Sequence, residues 1–333
     1  MIKEGEALEL LKKLDDFSVN CVYFDPPFNT GRVFKLASNS EIGFKDVWET
    51  DNDYVNLIEP VLIELKRVMK KDASLFFHIS VAEMFIPEML CRKHFKNVQP
   101  IFWKKSRSKN NIKKKLGATI DIIFWCSENK NRKFNMVYQP LDAYYAENSY
   151  KNKDGRGFYA LGHLVNGRQR KATNPDRLYP YTMGDGKFIA SFGGYPGYPA
   201  LHRVWQPENG WRLSKEDLLS LIEENRVHFP KGKGNLYRKI YKHESKGKPA
   251  TDLWDDIHSI AQGGDSRVYP TQKPLGLLER IVEMTTDEGD LVLDPMAGAG
   301  TTGLAAKNLN REYILFDNNP DAIEIMKKRL EQA

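Results

Sequence analysis

The stretch Asp290-Leu-Val-Leu-Asp294-Pro-Met-Ala-Gly-Ala-Gly-Thr-Thr-Gly303 joins a short apolar run to a glycine-rich turn and then to residues suited to a helix. An apolar run bounded by turn residues reads as a buried strand over 290–294, and the glycines as a tight passage into a helix over 301–309. The alternation continues outward on both sides. A strand at 312–317 is followed by a helix over 320–331 with Pro320 in its first turn, and a helix over 274–287 opens at Pro274. Strands alternating with helices in this way imply a mainly parallel sheet covered on both faces.

Two strands cannot make such a sheet, so the N-terminal part has to complete it. Residues 18–24 form an apolar run that ends at Asp25-Pro26-Pro27, as a strand stopped by two prolines would. Ile58, Val61, Leu62, Leu65, Val68 and Met69 recur at helical spacing and predict a helix over 53–71 feeding a strand at 73–80. A short helix near 82–93 and apolar runs at 97–103 and 119–126 follow. From about 127 to 253 the texture changes to Gly, Pro, Tyr and Asn, as in Gly193-Gly-Tyr-Pro-Gly-Tyr-Pro199, and periodicity mostly vanishes. One helix stands out there, at 215–225, with Ser214 and Asp217 placed as a capping box. The fold class is therefore α/β: a doubly wound, mainly parallel sheet domain built from residues 1–126 and 254–333, with 127–253 a smaller domain inserted between its halves.

Composition bounds the rest. With 333 residues and a formal charge of +6, the chain is neither disordered nor collagen-like. Cys21, Cys91 and Cys126 lie far apart and are odd in number, which argues against a disulfide framework or structural zinc. No apolar run approaches the ~20 residues that cross a bilayer and the N-terminus lacks a signal-peptide core, so a cytoplasmic protein without membrane contact is expected. The histidines, His78 on the strand at 73–80 among them, show no metal spacing and no metal is expected; Cys21, inside a strand, reads as core. The charge is lopsided. Residues 92–120 hold ten Lys/Arg and no acid, and 226–248 hold eight Lys/Arg and one acid, with Phe102, Trp103, Tyr237 and Tyr241 among or beside them. Two such blocks favour a nucleic-acid partner.

Gly298, Gly300 and Gly303 satisfy G-x-G-x-x-G, a pattern shared by more than one cofactor class. A dinucleotide site needs the first glycine at the strand end, where the pyrophosphate reaches the helix N-terminus; here Asp294-Pro295 intervenes. A carboxylate at that position repels a pyrophosphate but suits S-adenosylmethionine, which carries an ammonium and a sulfonium. Asp317, at the tip of the next strand, can take both ribose hydroxyls. Asp25-Pro26-Pro27-Phe28 sits on the same carboxyl edge, where ligands bind in such sheets. An aromatic amino group is a poor nucleophile because its lone pair is delocalised. A carboxylate (Asp25) and a backbone carbonyl (Pro26) that each accept one amino hydrogen can turn that lone pair towards a methyl electrophile. Pro26 and Pro27 together fix the direction of that carbonyl and leave no N–H to compete, and Phe28 offers a face for stacking the base.

These stretches, with Gly5-Glu6-Ala7-Leu8-Glu9-Leu10, Asp252-Leu-Trp-Asp-Asp256 and Tyr269-Pro-Thr-Gln-Lys-Pro274, resemble in kind and order the DNA amino-methyltransferases of the permuted beta group. The resemblance covers roughly residues 1–126 and 252–331. It implies a circularly permuted Rossmann-like methyltransferase fold, S-adenosylmethionine as cofactor, duplex DNA as substrate and 127–253 as the target-recognition region. By the same carry-over, Lys273 and its turn, with Asp294, Pro295, Gly298, Gly300, Thr301 and Thr302, hold the methionine part of the cofactor, Asp317 its ribose and Glu6, where the family has Asp, its adenine; Asp25 borders it. Lys104, Lys105, Arg107, Lys113, Lys114 and Lys115 are candidate DNA contacts. The resemblance also implies adenine-N6 over cytosine-N4 as the target, because an aspartate at the first position of this turn, here Asp25, is commoner in the family's adenine enzymes. A NAD(P)-linked enzyme and a catalytically silent nucleic-acid binder are the competing readings. A cognate restriction nuclease, a homodimeric state and the role of Trp254-Asp255-Asp256 stay open.

Overall fold

The computed structural model describes residues 1–28, 32–35, 43–46, 50–106, 116–166, 174–178, 181–182, 204–205, 207, 209–230, 235–260 and 268–332. It divides into two compact units, one made of Met1–Gln139 with Pro249–Ala333, the other of Pro140–Lys248.

The first unit contains an eight-stranded sheet. Its strands, in chain order, are β1 (Ile2–Glu4), β2 (Val19–Phe24), β3 (Met69–Ser80), β4 (Asn97–Lys104), β5 (Ile120–Ser127), β6 (Leu253–Trp254), β7 (Leu291–Asp294) and β8 (Glu312–Asp317). They lie in the order β1-β8-β7-β2-β3-β5-β4-β6. Every neighbouring pair is parallel except the two made by β5, which runs against β3 and β4. The helices that pack on this sheet include α1 (Ala7–Leu11), α2 (Asp51–Val68), α3 (Phe85–His94), α4 (Leu275–Thr285), α5 (Thr301–Asn308) and α6 (Pro320–Glu331).

Strand alternation sorts the core into two layers. Val22, Phe24, Leu75, Phe77, Leu293 and Phe316 pack on one face with Leu11 of α1, Ile58, Leu62 and Leu65 of α2 and Leu90 of α3. Cys21, Tyr23, Phe76 and Val292 turn to the other, against Leu277 and Ile281 of α4 and Ala305 and Ala306 of α5. All six residues of β2 are consequently buried, as a strand covered on both faces must be. The three cysteines are buried and unpaired with one another. No helix among the described residues is long and apolar enough to cross a membrane.

The structure departs from the sequence reading in its details. The helix expected over 53–71 starts from a Thr50/Asp53 capping box and stops at Val68, because Met69 already has extended backbone and opens β3. The apolar runs at 97–103 and 119–126 are an antiparallel pair, Asn97 opposite Ser127 and Lys104 opposite Ile120. Strands β1 and β6, of three and two residues, are too short to carry a period.

The second unit also differs in extent from the 127–253 expected. Residues 127–139 stay with the sheet. Lys133 bonds Asp290 (3.0 Å), Asn135 Nδ2 donates to the Thr286 carbonyl (2.8 Å), Val137 is buried under the α4 layer and Gln139 Nε2 donates to the Leu253 carbonyl (3.0 Å) and Asp256 (2.9 Å). The unit Pro140–Lys248 has its own antiparallel sheet, in which Tyr237–Tyr241 and Gly157–His163 pair centrally. Its helix Lys215–Glu223 carries the Ser214/Asp217 capping box and buries Leu218 and Ile222 against Leu164, Trp211 and Leu236.

Trp254-Asp255-Asp256 has a structural role. Trp254 is buried in β6, paired with Trp103, and Asp256 forms a two-pronged ion pair with Arg280 of α4 (2.9 and 2.5 Å) while Asp255 is exposed. Removing one partner of a mostly buried pair strands the other. Asp256→Ala should therefore lose about 3 kcal/mol in urea unfolding, whereas Asp255→Ala should stay within about 0.5 kcal/mol of the parent.

Candidate active site

Parallel pairing brings the carboxyl ends of β2, β7 and β8 to one edge. With Leu293 beside Val22 and Asp294 beside Leu315, the residues that end or follow these strands are Asp25, Asp294 and Asp317. They line a cleft of about 570 Å³, large enough for a nucleoside-sized ligand, together with Glu6, Phe28 and Lys273.

Asp294 is buried. Its Oδ2 accepts the Thr302 hydroxyl (2.5 Å) and its Oδ1 the Met296 N–H (3.1 Å). Burial pushes its carboxyl up to about 7, with Asp25 and Asp317 adding to the rise. Asp317 accepts the N–H of Gly298 (2.8 Å) and of Asn319 (2.9 Å), and burial raises its carboxyl too. Its bond to Gly298 ties the glycine turn to the tip of β8. Gly300 takes φ +70°, and a Cβ there would lie 2.6 Å from Met326 Cγ; one on Gly303 would lie 2.5 Å from Leu315 Cδ1. The second glycine turns the chain into α5 and the third lets α5 lie on β8. Thr301 and Thr302 open α5 and, with Pro295, line the same cleft. Glu6 follows β1 and accepts from Asn318 Nδ2 (3.0 Å), beside Asp317.

The Asp25-Pro26-Pro27-Phe28 turn closes the cleft on the β2 side. Lys273 donates to Asp25 Oδ2, and its ammonium lies 5.2 Å from the centre of the Phe28 ring. In this state Lys273 serves Asp25, a pairing that the sequence reading, which gave Lys273 to the cofactor, did not foresee. Beneath the turn lies a buried polar column. The Tyr23 hydroxyl is 2.6 Å from His78 Nδ1, His78 Nε2 is 3.4 Å from Asp121 Oδ2, and Lys105 donates to Asp121 Oδ1 (2.6 Å). Burial and then Lys273 lower the basicity of His78, against the pull of Asp121 and Asp25. Burial, and after it Asp25, Asp294 and Asp121, keep the Tyr23 phenol well above its ordinary range. The signal in the sequence is a histidine within the apolar Leu75-Phe-Phe-His-Ile79 and an aspartate within Ile120-Asp-Ile-Ile-Phe124. Neither has a local partner; they meet because Ser80 pairs with Asp121.

Of the candidate DNA contacts, Lys104 is exposed at the end of β4, Lys105 is engaged with Asp121, and Arg107, Lys113, Lys114 and Lys115 lie outside the described residues. Among the described residues no group of His, Cys, Asp and Glu is arranged to hold a metal.

The model of the DNA methylase family matches residues 19–328. The chain is 28% identical over 318 residues to the type II methyltransferase M.EcaI of Enterobacter cloacae, spanning 92% of this chain but 64% of that protein. It is 26% identical over 332 residues to the DNA adenine methyltransferase YhdJ of Escherichia coli K12, spanning 100% of this chain and 83% of the relative. The structure of PvuII DNA methyltransferase, described as cytosine-N4-specific, has the same fold, with a TM-score of 0.51 over 98% of this chain and 85% of that one at 14% identity.

A carboxylate whose folded pKa lies above its unfolded value of about 3.9 destabilises the fold increasingly as pH rises between the two, and by a constant amount above both. Asp294→Asn removes that penalty. The melting temperature of the variant relative to the parent should rise from about pH 4 to about pH 7 and level off beyond; a difference that is flat with pH would show that Asp294 carries no such strain.

Proposed function

The chain belongs to the N6/N4 DNA methylase family, and from that premise we propose that it transfers a methyl group from S-adenosylmethionine to the N6 amino group of adenine in duplex DNA. The observation that carries this reading is the shared cleft. A carboxylate on a rigid Pro-Pro turn faces the same space as the buried Asp294 and the half-buried Asp317 of β8.

The charges fit the cofactor. Glu6, Asp25, Asp294 and Asp317 line the cleft against the single ammonium of Lys273, among the described lining residues, so the site lacks positive charge. A ligand bearing an ammonium and a sulfonium supplies it, and a pyrophosphate would add to the excess. On this reading Asp294 faces the cationic end, Asp317 the ribose and Glu6 the base. Lys273, released from Asp25, meets the carboxylate. When bound, S-adenosylmethionine provides an electrophilic methyl on sulfur. Asp25 and the Pro26 carbonyl accept the two amino hydrogens and aim the nitrogen lone pair, and Phe28 stacks on the flipped base. Asp25 then receives the proton that the methylated nitrogen sheds.

Adenine is proposed over cytosine because Asp25 opens the turn and because a relative that spans the whole of this chain is named an adenine enzyme. The unit Pro140–Lys248, with Arg238 exposed on its strand Tyr237–Tyr241, is assigned the reading of sequence, and Lys104 a phosphate contact.

Nucleosides digested from treated duplex DNA and separated by mass should show N6-methyladenine; N4-methylcytosine alone would replace the base while keeping the chemistry. Asp25→Ala should slow transfer by about 10²–10³-fold with cofactor affinity within about threefold by calorimetry. Asp294→Ala should weaken cofactor binding first.

A further inference from the structure

Asp25 Oδ1 is buried and has no hydrogen-bond partner among the described residues, although Oδ2 of the same carboxylate holds Lys273. A buried acceptor without a donor is destabilising, and one inside an active cleft requires a reason. The polar atom facing it is His78 Nδ1, 3.9 Å away.

The state of that ring follows from its neighbours. Asp121, held by Lys105 at 2.6 Å, is a carboxylate below the ordinary range and can only accept, so His78 Nε2 carries the proton. Nδ1 therefore holds the lone pair, and the Tyr23 hydroxyl donates to it. The ring is wholly buried, edge-on to Trp103 with centroids 5.5 Å apart and tilted to Phe28 at 5.7 Å. The charged and titratable groups that face it are Asp25 and Tyr23 from β2 and its turn, Asp121 from β5 and Lys273 from the turn before α4. A neutral base between two carboxylates is a place where an arriving proton would be held on both sides.

We propose that His78 is a positioning residue that relieves Asp25 of the proton released by methyl transfer. This rests on the function proposed above. As one N–C bond forms and one C–S bond breaks, the sulfonium becomes a thioether and the nitrogen is left with a surplus proton, which passes to Asp25. Lys273 has by then left Asp25 for the cofactor's carboxylate, so the neutral carboxyl is free to turn; the Tyr23 hydroxyl rotates its hydrogen off Nδ1, and Oδ1 closes on it. The proton moves to the ring, Asp25 is again a carboxylate, and the imidazolium lies between Asp25 and Asp121 with the Tyr23 oxygen now accepting. Release of product returns the proton to solvent through the open cleft.

The test is the single-turnover rate of methyl transfer from S-adenosylmethionine to duplex DNA between about pH 5.5 and about pH 9. The parent rate should fall on the acid side, where the resting ring already carries a proton. His78→Gln should be slower by about tenfold or more at the alkaline end and should lose that acid limb, with cofactor and DNA dissociation constants within about twofold of the parent. Asp121→Asn removes one of the two carboxylates that favour the imidazolium, so its limb should move to lower pH. If both variants scale the rate by one factor at every pH and leave the limb in place, His78 only packs, and the inference is overturned; so it is if His78→Gln keeps the parent rate. A parent that methylates no DNA would instead refute the functional reading.

Discussion

Asp25, Asp294 and Asp317 end or follow strands that lie side by side, β2, β7 and β8, because parallel pairing sends all their carboxyl ends to one edge. Neighbouring strands are about 4.8 Å apart, and two charges at ~5–10 Å interact by about 2–3 kcal/mol at an effective dielectric of about 20. Repulsion on that scale is expensive to keep in a folded protein whose net stability is small. The structure answers it in part. Asp317 takes two backbone N–H groups, Asp294 takes one N–H and a hydroxyl, and Asp25 takes Lys273. What remains, among the described lining residues, is a deficit of positive charge.

The fold spends its most rigid parts on maintaining that edge. Strand β2 is buried on both faces, so Asp25 leaves from a fixed point, and two prolines remove the freedom of the next residues. Gly300 and Gly303 bring α5 close to β8, and the Asp317–Gly298 bond fastens the loop to the strand tip. Behind the turn, the column from Lys105 through Asp121 and His78 to Tyr23 fills with hydrogen bonds a region that an apolar core could have occupied. A buried polar network is tolerated only when its members are satisfied; Asp25 Oδ1, unsatisfied among the described residues, is at the end that meets the cleft.

Much of this was legible in the residues. The strand ends at Asp25 and Asp294 were marked by prolines, the helices by caps and 3.6-residue spacing, and the glycine turn by its own pattern. What the chain concealed depends on long separations. Lys273 reaches Asp25 across 248 positions and Arg280 meets Asp256 from a helix with no local hint of the pairing. His78 carries no local functional signal in the sequence because its column is assembled by the register of β3 on β5, which a linear pattern does not express. Strands β1 and β6 are held by pairing with β8 and β4, not by any tendency of their few residues. The insertion boundaries were misplaced because 127–139 is polar in composition yet strapped to the sheet by side-chain bonds.

The division of the first unit into two chain segments also sets a timetable for biosynthesis. Strand β2 has its partner β3 within the first segment, but its other edge is covered by β7, about 270 residues later. At a translation rate of roughly 5–20 residues per second, that edge stays open for about 15–50 s. An apolar strand with a bare hydrogen-bonding edge is a template for wrong pairing over that interval. Until the last strands are made, the early half of the sheet keeps that pairing edge exposed, and the strand that closes it, β7, also brings Asp294 to the cleft.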